Sequence, residues 1–99
     1  MQEEFNINSM KKACDTFGGS FRKQSCEVNI DGYTIVLTAL SGNKVRVDLL
    51  GKDGKLVGSS MIDNVKDILY DKDAISIFNK EDSLTVSKYE PFMDSDMIK

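Results

Sequence analysis

Any catalysis by this 99-residue chain would have to run on carboxylates, lysines, tyrosines or its two cysteines, because it contains no histidine and no tryptophan. Without imidazole there is no side chain that ordinarily changes charge near neutral pH, and no Ser-His-Asp or Cys-His arrangement can be assembled. The commonest zinc ligand is missing as well, and Cys14 and Cys26 alone are too few to hold a structural zinc ion. A chain this small also rarely encloses a deep pocket. The expectation is a non-catalytic protein with no metal and no cofactor.

Four local clusters could carry other chemistry. Asp71 and Asp73 flank Lys72, with Asp63 and Asp67 upstream, and such oxygens suit a hard cation. Their spacing matches no calcium-binding loop, however, and turns favour Asp for its bonds to the local backbone. Gly51-Lys52-Asp53-Gly54-Lys55 lacks the glycine spacing of a phosphate-binding loop and has Leu56 where Ser or Thr belongs. Gly18-Gly19-Ser20 could nest an anion, yet a helix stop explains it. Lys11, Lys12, Arg22, Lys23, Lys44 and Arg46, with Phe21 nearby, could meet nucleic acid by charge and stacking. Asp15, Glu27 and Asp48 interleave with them, which predicts a mixed, solvated surface instead.

These residues must be positioned by one helix and a series of short strands. Met10, Cys14 and Phe17 recur at i, i+4 and i+7 with Ala13 beside them, so one apolar stripe runs along a short N-terminal helix. Asn8 or Ser9 is suited to cap its start, and Gly18-Gly19 to end it. Phe5 and Ile7 are expected to pin the approach to the helix. Phe21 to Gln24 reads as a connector. From Cys26 onward, half-apolar runs are punctuated by Asp31-Gly32, Gly42-Asn43 and Asp53-Gly54, pairs that accept the positive φ of tight hairpin turns. Cys26, Val28 and Ile30 alternate with polar residues, as do Val45, Val47 and Leu49. Tyr33 to Leu40 is apolar on both alternating sets and is expected to be a central strand. Leu56 to Ile62 carries Gly58-Ser59-Ser60, where a bulge or bend is expected.

Residues 63–70 fit either a helix or a strand, and turn spacing favours a strand. Ala74 to Asn79 and Ser83 to Tyr89 form a hairpin with Ile75, Ile77, Leu84 and Val86 inward. The fold class is therefore α+β: a short helix packed on a strongly twisted antiparallel meander of six to seven strands, curled towards a half-barrel. Residues 1–90 make one domain, and residues 91–99, opened by Pro91, are expected to be a flexible tail.

Composition narrows the function classes. Apolar residues at 40% and charged residues at 29% describe a globular chain. No apolar run approaches the length that a membrane-spanning helix needs. Net charge is −3, split as +1 over residues 1–60 and −4 over residues 61–99, which disfavours a nucleic-acid footprint. The acidic start, Met1-Gln2-Glu3-Glu4, is unlike a signal peptide, so a cytoplasmic location is expected. There Cys14 and Cys26 would remain thiols, although a bridge from helix to first strand is sterically open. Eleven of thirteen basic residues are Lys, a bias of AT-rich coding that points to a bacterial or phage source.

What remains is surface. Val36 and Leu40 on the second face of the central strand, with Phe78, Phe92 and Met93, form the expected partner-binding set. The leading expectation is a small protein-binding module, a regulator or inhibitor that masks a partner's surface, the partner being another protein or a second copy. The alternatives are a half-barrel that holds a small apolar molecule, and a weak nucleic-acid binder.

Overall fold

The computed structural model describes residues 6–87, which form one helix and eight strands. Helix α1 (Ile7–Phe17) precedes β1 (Ser20–Arg22), β2 (Ser25–Ile30), β3 (Tyr33–Leu40), β4 (Lys44–Leu50) and β5 (Leu56–Ile62). These five strands pair in sequence order as one antiparallel sheet. A second antiparallel sheet follows, made of β6 (Asp67–Tyr70), β7 (Ala74–Phe78) and β8 (Ser83–Ser87). The fold is thus a helix packed on antiparallel sheets, and the strands divide into two sheets without closing a barrel.

The helix begins earlier than its apolar stripe suggests. Asn6, not Asn8 or Ser9, is the cap, and its side chain accepts a hydrogen bond from the Asn8 amide at 2.9 Å. Ile7 is drawn into the first turn because it packs against the core, while Phe5 lies outside the described residues. Gly18 ends the helix in the left-handed conformation at φ 94°, and its amide and that of Gly19 reach back to the Cys14 carbonyl. Phe21 to Gln24, expected as a connector, instead supplies the short edge strand β1 and its turn, with Phe21 opposite Cys26.

Turn chemistry sets the large sheet. Asp31-Gly32 is a two-residue turn with φ 52° and 86°, the hand that matches the twist of paired strands, while Gly42-Asn43, at 79° and 60°, completes a three-residue loop begun by Ser41. Asp53-Gly54 differs, because it sits within a longer loop closed by the Gly51 amide on the Lys55 carbonyl at 2.8 Å. The extra length appears in β5 as a bulge: Leu49 faces Gly58 and Leu50 faces Leu56, so Val57 has no partner on β4. In the small sheet, one side chain organises each turn. Asp71 accepts from the amides of Asp73 and Ala74, and Asn79 accepts from those of Glu81 and Asp82.

Residues 63–66 carry the chain between the sheets and are tied to both. The Val65 amide donates to the Asn43 carbonyl at 2.8 Å, and the Lys66 amide to the Phe78 carbonyl at 2.9 Å. Residues 67–70 are a strand, as turn spacing favoured. A helix would have buried Leu69 with Val65 and Ile68, yet Leu69 is 63% exposed.

One apolar core fills the space between the sheets. It takes Met10, Ala13, Cys14 and Phe17 from α1, alternate residues of β2, β3 and β4, then Ile62, Val65, Ile68, Ile75, Ile77, Leu84 and Val86. No polar side chain is buried with them among the described residues. The helix packs on β1 and β2 of one sheet and β6 and β7 of the other.

Cys14 and Cys26 are not thiols but a disulfide, with Cα atoms 5.8 Å apart. The helical stripe and the strand alternation each point a cysteine inward at the same place, so the burial pattern itself brings the sulfurs together. Gly19 sits against this joint. A Cβ there would lie 2.7 Å from Val28 Cγ2, 2.8 Å from the Glu27 carbonyl oxygen and 3.0 Å from Cys14 Sγ. Gly19→Ala is therefore expected to cost about 1–3 kcal/mol, read as a lower midpoint in urea unfolding. The double substitution Cys14→Ala, Cys26→Ala should cost about 3 kcal/mol, as expected for opening a loop of this length. The same fall on adding reductant to the parent protein, with none in the variant, checks the assignment.

Candidate protein-binding surface

The pleat of the large sheet sends one residue set inward and leaves the other as an open face. Cross-strand register arranges that outer face in rows. Arg22, Ser25, Thr38, Arg46 and Met61 form one row. Ser20, Glu27, Val36, Asp48 and Ser59 form the next, and Asn29, Thr34, Leu50 and Leu56 a third. Two arginines thus stand beside two carboxylates.

Five polar side chains of this face engage one another. Arg46 Nε donates to Asp48 Oδ2 at 3.1 Å, and Ser59 Oγ donates to Asp48 Oδ1 at 2.6 Å. The hydroxyls of Ser25 and Thr38 lie 3.2 Å apart. Between them Val36, Leu50 and Leu56 line a shallow groove with Ser25, Thr38, Arg46, Asp48 and Ser59. Leu56, Val57 and Met61 are the most exposed apolar side chains of this sheet, at 62%, 52% and 52%. All three lie on β5, which has β4 on one side and no described strand on the other. From Leu56 to Ile62 this edge carries no charged residue.

The residues expected to bind a partner do not form one patch. Val36 and Leu40 are half-buried on the outer face of the large sheet, Leu40 at its end opposite Lys44. Phe78 lies on β7 of the small sheet, half-buried in a second cleft with Met61, Asn43, Asn79 and the 63–67 segment. Phe92 and Met93 lie outside the described residues. The exposed trio on β5 was not singled out in the sequence. No local signal marked it: an uncharged run suggests burial, and the bulge falls at Val57, not at the expected Gly58-Ser59-Ser60, which pair in regular register with β4.

The other clusters are spent in local turns or split between faces of the fold. Asp71 is engaged in its own turn, and no group of acidic or cysteine side chains suited to a metal occurs among the described residues. Arg22 and Arg46 share a row on the outer face. Lys11 and Lys12 stand on the helix, which covers the opposite face, so the basic set is divided by the sheet. Lys52 lies over the Tyr33 ring, 5.7 Å from its centre. Among the described residues no helix is long and apolar enough to cross a membrane.

No family model, curated protein or solved structure matches this chain.

Because Leu69 is 63% exposed, Leu69→Lys should change stability by no more than about 0.5 kcal/mol. Ile77→Ala, in the core, should cost about 2–5 kcal/mol. Thermal unfolding of the two variants beside the parent checks the division between surface and interior.

Proposed function

We propose that this chain is a small non-catalytic protein-binding module, a regulator or inhibitor that works by covering a partner's surface. One observation carries the reading: exposed Leu56 and Met61 adjoin half-buried Val36 and Leu50 on a face where Asp48 already holds Arg46 and Ser59. Apolar surface gathered on one side and rimmed by polar residues favours a protein contact. The uncharged edge of β5 adds backbone donors and acceptors that an extended segment can use.

Other observations lend support. The arginines of the outer face stand beside Glu27 and Asp48, which leaves no basic track for a nucleic-acid backbone. Side chains fill the space between the sheets, so a small apolar ligand would have to use one of the outer clefts. The buried Cys14–Cys26 bridge favours work in an oxidising compartment over the cytoplasm expected from the N-terminal residues.

The test is affinity capture from material of the source organism, and of its host if the source is a phage, followed by mass spectrometry. The parent chain is compared with a Val36→Thr, Leu56→Lys variant of unchanged circular dichroism. A stoichiometric partner held by the parent and lost by the variant is the expected result. A partner retained equally by both, or none with either, would sink this reading of the outer face.

A further inference from the structure

We infer that the β5 edge pairs with the β5 edge of a second copy of this chain, joining two five-stranded sheets into one across a two-fold axis. The inference rests on the reading of this side of the molecule as a protein-binding surface and names the occupant of its edge. A two-fold perpendicular to the sheet makes neighbouring strands antiparallel and keeps both outer faces on the same side. Residues opposite one another must then have numbers that sum to an even value.

The sequence from Lys55 to Asp63, Lys-Leu-Val-Gly-Ser-Ser-Met-Ile-Asp, is self-complementary in one such register. With Ser59 on the axis, Val57 of each copy faces Met61 of the other, so two exposed apolar residues meet across the seam. Gly58 then faces Ser60. At the two ends Lys55 of one copy comes to Asp63 of the other, opposite charges that the long Lys stem can bring together across the bulge at Val57. Sliding by two residues in either direction breaks both matches. With Ser60 on the axis, Asp63 meets Val57 and Ile62 meets Gly58; with Gly58 on the axis, Lys55 meets Met61. The edge strand carries no charge from Leu56 to Ile62, whereas exposed edges are ordinarily guarded by lysine or proline. A self-matched edge with its charges only at the ends suits pairing to one defined length.

The experiment uses the full chain with its disulfide intact. Light scattering across a concentration series should give twice the monomer mass for the parent. Lys55→Asp alone and Asp63→Lys alone should each weaken the dimer about fivefold, because each places like charges opposite at both ends. The double swap should restore it. Under mild oxidation Ser59→Cys should cross-link to itself at the axis. Met61→Cys should not cross-link alone, but should do so when mixed with Val57→Cys.

A parent that stays monomeric at all concentrations, with Ser59→Cys remaining uncross-linked in a folded protein, overturns the inference. A dimer whose charge variants and cysteine pairs ignore this register overturns it too. Should the monomer still capture a partner through Val36 and Leu56, the protein-binding reading survives while self-pairing fails. A dimer in the stated register with no captured partner gives the opposite division.

Discussion

The whole molecule depends on the joint where α1 meets β2. Cys14 is fully buried there, bonded to Cys26 and pressed by Gly19, so helix and sheet touch at nearly backbone distance. A helix of 11 residues has little stability of its own in water. Its apolar stripe must be covered from two directions, by the large sheet on one side and by β6 and β7 on the other. The bridge holds one side of that contact, and the small sheet can then dock on the other. Without the helix, the two sheets would have no common surface on this side of the core.

The same arrangement explains why the chain makes two sheets instead of one curled meander. Eight strands in one open sheet would leave a long apolar face that a single short helix cannot cover. Breaking the sheet after β5 folds the second half back over the first. Residues 63–66 make the change of direction with Asn64 at φ 52°, and hydrogen bonds to both sheets hold them. The break leaves β5 as an edge among the described strands. Leu56 and Met61 are exposed because the strand that would have flanked them has left for the other sheet.

The outer face of the large sheet is therefore what the fold leaves over after its core is complete. On it Asp48 takes bonds from both Arg46 and Ser59. Its distinguishing property is apolar area beside a strand edge that no other described strand pairs, and both are general means of contact between polypeptides.

Local rules written in the sequence determined most of the inward-facing residues. The alternation in β2, β4, β7 and β8, the helical stripe of Met10, Cys14 and Phe17, and the Asp-Gly and Gly-Asn turns all act over a few residues, where side-chain period and φ preference suffice. Tertiary structure decided what depends on residues far apart. The helix start moved to Asn6 because Ile7 found the core, and Phe21 became strand because Cys26 offered an open ladder. The cysteines became a bridge because two separate periodicities happened to converge in space. The binding set was divided for the same reason: Val36 and Phe78 look alike in sequence, but only the break between sheets sends them to different surfaces. Which strand becomes an edge is a property of the assembled sheets, and no local pattern in β5 could have stated it.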